Sequence, residues 1–434
     1  MRLRMKRIRK QARYVYDNSE FYRKKFQEAG AQPEDIKTWD DFRRLPIMLT
    51  PQELKEGQKE SLRKYGHPFG LYLCAPIEKV IGIQATSGTT GEPTFYALTE
   101  HDIRVNDEAI CRAFWRAGMR PGDAVMHGFG LSMWVAGIPF IRAVQRLGAR
   151  PIPAGAEAGT ERFLRLIQLT RPRFLLLTPS FAEYLIEKTQ ELLGCHAKDL
   201  GIERIICAGE PGGGIPSVRK KIEEGWNASL FDYAGGIWGI SSISCDHHEY
   251  QGMHLVSEDF IVQHDLVDPD TLEPIEVKHG AIGAVVSTAY KWEAAPPFKF
   301  LNNDVMQILT ETCPCGVPGY RRKIIGRRDD LLIVKGVNVY PSAVQNIVNT
   351  FVPEVTGQMR LVVNGKPPRV TPPIVLRLEH GKETKQEDLE HLRRIIQGKI
   401  ADVLRFTPEM EFVEPESLSR SRLKTKLVEV RDQV

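Results

Sequence analysis

Residues 85–94 read Ala-Thr-Ser-Gly-Thr-Thr-Gly-Glu-Pro-Thr, which gathers glycine and small hydroxyl-bearing residues in one short segment. Gly88 and Gly91 lack a Cβ, so the chain there can adopt positive φ and bring backbone N–H groups close to phosphate oxygens. Hydroxyl groups come from Ser87, Thr89, Thr90 and Thr94. The segment lacks the Gly-Lys-Ser/Thr ending of a Walker A loop. It predicts a nucleotide-phosphate loop of another kind, and a solvated turn is the alternative.

The overall composition is that of a soluble globular protein. With 434 residues, of which 42% are hydrophobic, the chain can bury a large core and is long enough for two or three domains. A formal charge of +4 indicates no nucleic-acid partner, and no apolar run of about 18 residues indicates a membrane span. The seven cysteines are sparse and odd in number, which argues against a disulfide framework. The basic N-terminus lacks the apolar stretch of a secretory signal, so a cytoplasmic location is expected.

Short apolar runs alternate with amphipathic stretches from about residue 100 to residue 290. Residues 123–126, 150–153 and 174–178 are typical of strands. Residues 136–147 and 161–170 are typical of helices. This order predicts a layered α/β domain in which helices cover parallel strands.

The pattern changes at Gly326-Arg327-Arg328-Asp329-Asp330, where a charge cluster replaces the apolar runs. Beyond it, alternating apolar segments and helices near 342–351 and 386–404 suit a small sheet packed by two helices. We therefore expect a large domain over residues 1–327 and a small α+β domain over residues 328–434.

Further motifs follow one another along the chain: Asn18-Ser19-Glu20-Phe21-Tyr22, Ala117-Gly118-Met119-Arg120-Pro121-Gly122-Asp123, Thr178-Pro179-Ser180, Ala208-Gly209-Glu210-Pro211 and Arg420-Ser421-x-x-Lys424. Together with the 85–94 loop, they resemble the signature segments of the adenylate-forming superfamily, and most of all its phenylacetate-CoA ligase branch. The similarity extends over nearly the whole chain. It implies a large layered α/β N-terminal domain that binds ATP and the acyl group, and a small mobile C-terminal domain that carries the catalytic lysine.

The resemblance also implies a reaction. A carboxylate reacts with Mg·ATP to give an acyl-adenylate and pyrophosphate, and the acyl group then passes to the thiol of coenzyme A. Lys424 corresponds to the catalytic lysine, whose cation would face both the carboxylate and the α-phosphate. Asp304 corresponds to the residue that accepts hydrogen bonds from the ribose hydroxyls, and Arg327 to its partner on the same sugar. Asp329 would be the hinge between the two domains.

The same resemblance assigns the other nucleotide contacts. The adenine side would consist of Gly209, Glu210, Pro211, Asp232 and Tyr233. The β- and γ-phosphates would be held by Ser87, Gly88, Thr89, Thr90, Gly91 and Thr94.

The sequence departs from the family pattern where a magnesium-binding Glu is usual. Trp238 stands there, in the run Asp232-Tyr233-Ala234-Gly235-Gly236-Ile237-Trp238. A carboxylate such as Glu249 would have to substitute, or water and phosphates would complete the Mg²⁺ coordination, or adenylation would be weak. Glu92 also stands where the family more often has Lys.

Several large apolar residues suggest the acyl pocket. Phe129, Met133 and Trp134, together with Gly236 and Trp238, would form a wide aromatic-lined cavity for a planar aryl acid. Ordinary core aromatics are the alternative for each residue.

A metal site is the second specific expectation. Cys313-Pro314-Cys315-Gly316 and Cys245 supply three thiolates, and with one imidazole these make a tetrahedral zinc set. Some members of the ligase branch carry a similar set, which implies His254. The gap after Cys245 is two residues longer here, which leaves His247 or His248 open. The zinc would be structural, and buried thiols in a reducing cell are the alternative.

Three functions are compatible with these residues. The first is an ATP-dependent aryl acid–CoA ligase, whose partners are an aryl carboxylic acid, ATP and coenzyme A, and which would form a homodimer as many relatives do. The second adenylates an aryl acid but passes it to an amine or hydroxyl acceptor. The third is a degenerate homologue that only binds a nucleotide or acyl-adenylate, suggested by the missing magnesium Glu. The presence of Lys424, Asp304 and Arg327 weighs against it.

Overall fold

The computed structural model describes residues 2–86, 93–247, 249–256, 261–334, 337–365, 367, 369–418 and 427–431. Several parts of the predicted site lie outside these described residues: the phosphate-loop residues 87–92, the alternative zinc ligand His248 and Lys424.

The helices of the described chain are α1 (Arg2–Asn18), α2 (Glu20–Glu28), α3 (Trp39–Arg44), α4 (Pro51–Tyr65), α5 (Glu100–Arg116), α6 (Ile138–Arg146), α7 (Thr160–Thr170), α8 (Pro179–Leu193), α9 (Pro216–Trp226), α10 (Pro341–Val348) and α11 (Leu389–Leu404).

The strands are β1 (Gly82–Thr86), β2 (Thr94–Leu98), β3 (Ala124–His127), β4 (Arg150–Ile152), β5 (Phe174–Leu177), β6 (Arg204–Cys207), β7 (Ser229–Gly235), β8 (Ser241–Ser244), β9 (Met253–Leu255), β10 (Val262–Val267), β11 (Pro274–Ile275), β12 (Ile282–Ala289), β13 (Phe300–Leu309), β14 (Arg321–Arg327), β15 (Leu332–Val334), β16 (Val337–Val339), β17 (Val355–Asn364), β18 (Arg369–His380), β19 (Glu409–Val413) and β20 (Val428–Arg431).

Twelve strands of the described chain form one large sheet in the order β11-β10-β12-β13-β14-β9-β8-β7-β6-β5-β3-β4. The strands from β3 to β7 run parallel, with the helices between them, as the sequence predicts. The four residues of β5 are all buried, which is typical of a parallel strand covered on both faces. The strands from β8 to β14 are antiparallel, an extension that the periodicity does not predict. The mixed α/β fold class is therefore confirmed.

The helix that follows β5 begins at a clear sequence signal. Thr178 is the N-cap of α8, where its hydroxyl accepts a hydrogen bond from the backbone N–H of Phe181, and Pro179 follows at the first helical position. Gly194 ends the helix in the left-handed conformation. The Thr178-Pro179-Ser180 motif thus marks the end of a parallel strand and the start of a helix, at the carboxyl edge of the sheet.

The N-terminal helices form a separate hydrophobic cluster on the large domain. Ile8, Phe26 and Phe42 are fully buried and pack in one core with Phe298 and Trp238. Through this cluster, the N-terminal helices reach the segment around residue 238.

A second sheet, order β16-β15-β18-β17-β20 with β19 beside β18, is built from residues beyond 331. Its core includes Leu361, Leu376 and Ile396, which are fully buried. Helix α10, which packs on this second sheet, meets the large sheet where the Ser342 hydroxyl donates to the carbonyl of Ile325 at 2.7 Å. None of the helices in the part of the chain described above is long and apolar enough to cross a membrane.

Candidate active site

Asp304 and Arg327 lie opposite each other on the neighbouring strands β13 and β14. Nη1 of Arg327 donates to Oδ1 of Asp304 at 3.3 Å. Both side chains are 34% exposed, so a ligand can reach them. The structure therefore brings together the two residues expected to bind the ribose.

Arg327 also binds the predicted hinge residue. Its Nε and Nη2 donate to the two carboxylate oxygens of Asp329 at 2.8 and 2.7 Å, a bidentate geometry. Burial acts to raise the pKa of Asp329, but the hydrogen bonds and charge of Arg327 outweigh it and hold this pKa below its ordinary value. Asp329 lies in the short turn between β14 of the large sheet and β15 of the second sheet.

Asn303 lies next to this pair and has an unusual backbone. Its φ is +67°, in the left-handed region that Asn tolerates better than most residues. Its side chain bonds with Asp329. Its Oδ1 is buried and has no hydrogen-bond partner among the described residues, which leaves an acceptor next to Asp304.

Tyr96 is a residue of this region that the sequence analysis misses. It lies on β2 and hydrogen-bonds with Thr86, the last residue of β1 before the phosphate loop. Burial raises the pKa of Tyr96 to about 12, opposed by the bond with Thr86 and the charge of Arg327. The phenol thus lies between the loop and the ribose pair. Tyr96 follows Thr94 by two residues and so shares its face of β2, and this spacing is the sequence feature that would have indicated it.

The two strands that flank the phosphate loop form a hairpin. Thr86 pairs with Thr94, and the Thr94 side chain is buried. The backbone N–H of Ala85 donates to the carbonyl of Met133 at 2.8 Å, which ties this hairpin to the segment predicted to line the acyl pocket.

Gly209 has φ +93° and lies against the Trp134 indole. A Cβ at this position would lie 2.9 Å from the Trp134 ring and would be strained by the positive φ. Glycine is therefore required here for two reasons. The glycine itself is exposed at the surface.

Glu210 accepts a hydrogen bond from the backbone N–H of Ser180 at 2.8 Å, at the start of α8. Burial raises its pKa. Glu210 and Pro211 line a cavity whose other wall comes from the second-sheet region, including Gln345 and Gln358. The Glu210 carboxylate thus binds the N-terminus of α8. The Gly209-Glu210-Pro211 motif lies between the large sheet and the second-sheet region.

Asp232 and Tyr233 point to opposite faces of β7. Asp232 accepts a hydrogen bond from the Tyr250 hydroxyl at 2.7 Å, and burial raises its pKa. The Tyr233 ring is buried against Phe140, 5.3 Å between centroids, and its hydroxyl bonds with Ser241. A contact of Tyr233 with adenine would therefore be made by its backbone.

The predicted acyl-pocket residues fall into two groups. Phe129 is only 1% exposed and packs in the core edge to face with Trp134 at 5.3 Å, as an ordinary core aromatic would, whereas the Met133 side chain is 50% exposed. Trp238 belongs to the other aromatic cluster, with Tyr96 at 5.2 Å. A Cβ on Gly236 would meet open space.

Trp238 is held where the family pattern has a magnesium ligand. Its φ is +71°, and its indole N–H donates to the carbonyl of Ala295 at 3.1 Å. An indole offers no oxygen ligand, and oxygen is what Mg²⁺ requires. Position 238 therefore cannot hold the ion.

Cys245, His254, Cys313 and Cys315 form a compact cluster in which all ligand atoms lie within 4.8 Å of one another. Sγ of Cys245 and Sγ of Cys313 are 3.8 Å apart, and Sγ of Cys315 is 3.4 Å from Nε2 of His254. Tetrahedral zinc, with Zn–S of about 2.3 Å and Zn–N of about 2.0 Å, would separate two sulfurs by about 3.8 Å and a sulfur from a nitrogen by about 3.5 Å. These two spacings match a zinc tetrahedron, and the remaining ligand atoms lie within 4.8 Å, close enough to complete it with small shifts.

His254 on β9 is the imidazole that joins this cluster. Burial, and then the charges of Arg116 and Arg321, lower the pKa of His254 to about 4, so it is neutral at neutral pH, as a metal ligand must be. His247 instead accepts a hydrogen bond from the backbone N–H of Glu249.

Comparisons with known proteins find similar enzymes. The family model for the AMP-binding enzyme C-terminal domain matches residues 336–432. The phenylacetate-coenzyme A ligase of Thermus thermophilus is 32% identical over 369 residues, which cover 83% of this chain and 77% of that enzyme.

Two solved structures of one enzyme show similarity over nearly the whole chain. The 2-hydroxyisobutyryl-CoA ligase in its postadenylation state, in complex with R3-HIB-AMP, has a TM-score of 0.86 at 27% identity, covering 98% of this chain and 88% of that one. The same enzyme in its thioesterification state, at the same identity and coverage, has a TM-score of 0.70. The arrangement of this chain is thus nearer to that of the postadenylation state.

The sequence similarity covers most of the chain, and the family model falls on the region of the second sheet. The chain belongs to the phenylacetate-CoA ligase family of adenylate-forming enzymes, which are AMP-forming acid–CoA ligases.

Proposed function

We propose that this AMP-forming acid–CoA ligase acts on an aryl carboxylic acid. The observation that carries the ATP-dependent step of this proposal is the Asp304–Arg327 pair, held in register on β13 and β14 and adjoining Tyr96. An acceptor-only carboxylate suits a ribose diol, and a guanidinium fixes the orientation of that carboxylate.

The proposed first step joins the acid to AMP. An oxygen of the carboxylate attacks the α-phosphorus, and pyrophosphate leaves. In the second step the sulfur of coenzyme A attacks the acyl carbon, and AMP leaves. Lys424 would offset the negative charges that meet in the first step.

The nucleotide would lie along the edge made by β1, β2 and β13. Its triphosphate would bind residues 87–91 and Thr94, and its ribose would bind Asp304. Tyr96 would lie between the triphosphate and the ribose, because its phenol hydrogen-bonds with Thr86 and the charge of Arg327 lowers its pKa against the effect of burial. The adenine would lie on the exposed backbone of Gly209, beside Trp134.

The aryl preference is supported by the aromatic wall next to this edge. Trp134 is partly exposed and packs on the buried Phe129, and the backbone of Met133 is bonded to the phosphate hairpin. A planar ring gains from edge-to-face contacts with such a wall. The acid pocket and the phosphate loop would thus adjoin.

The magnesium ion requires a separate account. Trp238 supplies no oxygen, so we propose that Mg²⁺ enters with the triphosphate and is held mainly by phosphate oxygens and water. The ion would offset the charge of the phosphates.

We also propose that residues 328–434 form a mobile domain that swings about Asp329. The bidentate contact between Arg327 and Asp329 would hold the present arrangement, since it joins the last residue of β14 to the connecting turn. A cytoplasmic homodimer remains a proposal that rests on the family resemblance.

A structural zinc ion is proposed at Cys245, His254, Cys313 and Cys315, on the tetrahedral spacings given above. It would tie the β8–β9 hairpin to the segment between β13 and β14. Metal analysis after mild chelation should find one zinc per chain in the wild type and in the control Cys195→Ser. The pair Cys313→Ser and Cys315→Ser should lose it. Metal-free wild-type protein would contradict the site.

The main test measures pyrophosphate release with a panel of aryl and alkyl acids, with and without coenzyme A. We expect release to depend on the acid, to favour aryl acids, and to yield a thioester when coenzyme A is present. Adenylation without thioester formation would indicate an amine or hydroxyl acceptor. The absence of acid-dependent pyrophosphate would refute the ligase.

A further inference from the structure

Arg116, the last residue of α5, reaches the Cys/His cluster from outside the ligand set. Its Nη2 lies 3.6 Å from Sγ of Cys315. Its Nε is buried and has no hydrogen-bond partner among the residues that the structure describes. The guanidinium is therefore partly desolvated next to a sulfur atom.

A second arginine nearby is already engaged. Nη1 and Nη2 of Arg321 donate to the carbonyls of Gln251 and Glu311 at 2.7 and 2.9 Å. Arg321 thus holds the backbone at Gln251 and the backbone at Glu311 together. Within the described parts of the chain, Arg116 is the arginine whose guanidinium contacts a sulfur of the cluster.

The helix that carries Arg116 is fixed at its other end and along its buried face. Asp102 in the first turn accepts hydrogen bonds from the backbone N–H groups of Glu293 and Ala294 at 2.7 and 2.9 Å. Phe114, two residues before Arg116, is fully buried. The helix therefore places the guanidinium at a set distance from the cluster.

The charge of the zinc site explains why a cation is useful there. Zinc with three thiolates and one neutral imidazole carries a net charge of −1, which is costly to bury without a partner. A guanidinium that donates to one thiolate offsets this charge and orients the ligand.

We propose that Arg116 is a positioning residue for the zinc site, where it donates a hydrogen bond to the Cys315 thiolate and balances the charge of the zinc–thiolate unit. The inference rests on the zinc proposed above. Arg116 touches neither ATP nor the acid in this assignment.

The test compares Arg116→Met with Arg116→Lys and with the control Arg112→Met, one turn earlier on the same helix, where Arg112 pairs with Glu108. Zinc affinity is measured on the full chain by competition with a chromophoric chelator. Cobalt substitution gives the second readout, because the thiolate-to-cobalt absorption band responds to hydrogen bonding at sulfur. Circular dichroism verifies that each variant is folded.

We expect Arg116→Met to bind zinc about 10- to 100-fold more weakly and to shift the cobalt–thiolate band. Arg116→Lys should recover part of the affinity, and Arg112→Met should match the wild type. Equal affinity and an unshifted band in folded Arg116→Met would overturn the role of Arg116 while leaving the zinc site intact. Wild-type protein that binds neither zinc nor cobalt would overturn the zinc site and this inference with it.

Discussion

Arg327 faces Asp304 across two antiparallel strands and binds it at 3.3 Å, and both side chains remain accessible to a ligand. The strand register, rather than a flexible loop, sets this contact. Paired strands restrict both backbones, so the carboxylate is held in place before the nucleotide arrives.

Asp304→Asn should weaken ATP binding, because the amide replaces a charged acceptor of the ribose hydroxyls. Charged hydrogen bonds contribute about 1.5–3 kcal/mol, so we expect the KM for ATP to rise about 10- to 150-fold. The KM is measured by pyrophosphate release with ATP, 2′-deoxy-ATP and 3′-deoxy-ATP. The wild type should discriminate against the deoxy analogues and the variant should not. A variant that discriminates as strongly as the wild type would contradict the ribose assignment.

Asp329→Pro should separate the two half-reactions. Proline fixes φ near −65° and thereby blocks rotation at the connecting turn. Single-turnover measurements should show pyrophosphate release within a few-fold of the wild type and thioester formation slowed by at least about tenfold. The control Asp329→Ala also loses the contact with Arg327 but keeps a free φ, so its thioester step should be less affected. Equal slowing in both variants would argue against a hinge at this residue.

Gly209→Ala should impair nucleotide use, whereas Gly236→Ala should not. A methyl group at 209 would meet the Trp134 ring at 2.9 Å on a backbone with φ +93°, but at 236 it would enter open space. We expect a higher KM for ATP and a stability loss of about 1 kcal/mol or more for Gly209→Ala. The measurements are ATP kinetics and thermal melting on both variants. Wild-type values for Gly209→Ala would show that the glycine at 209 is dispensable.

His264 should make the protein less stable as the pH falls. Burial, and then the charge of Arg322, lower the pKa of this fully enclosed imidazole to about 3, below its unfolded value of about 6.5. Between these values only the unfolded chain binds the proton, so each pH unit of acidification costs about 1.4 kcal/mol. The contribution is present above pH 6.5 and is lost progressively below it.

The matching experiment compares melting at pH 7 and pH 5 for the wild type, His264→Gln and the control His391→Gln at an exposed position. His264→Gln should lose part of the pH dependence, even if it also loses stability with the hydrogen bond to Ser287. An unchanged pH dependence in His264→Gln would contradict the assignment.

The sequence predicts the parallel half of the large sheet because its strands are continuous apolar runs, such as Phe174-Leu175-Leu176-Leu177, with helices between them. The antiparallel half is missed for a physical reason. In β10, Gln263, His264 and Asp265 are all buried, so the strand has no alternation that periodicity can detect. Tertiary contacts, rather than a local pattern, make these polar residues internal.

In the candidate site too, the sequence predicts some residues and misses those whose contacts depend on tertiary structure. The family resemblance implies that Asp304 and Arg327 are partners, and the strand register brings them together. Cys313-Pro314-Cys315 predicts thiols in one place, but the choice of His254 depends on the pairing of β9 with β14, which the local sequence does not encode. Tyr96 is missed because Arg327 is distant in the chain and the bond with Thr86 depends on the pairing of β1 with β2.

The backbone bond from Ala85 to Met133 has a thermodynamic consequence. This single backbone hydrogen bond joins the β1–β2 hairpin, which would carry the triphosphate loop, to the segment that would contact the acid. If binding of one substrate orders its segment, the other segment loses less entropy when the second substrate binds. The two substrates should then bind with positive cooperativity, and the factor must be the same in either direction. Calorimetry of the aryl acid with and without a non-hydrolysable ATP analogue measures this factor, and independent binding would show that the peptide link transmits nothing.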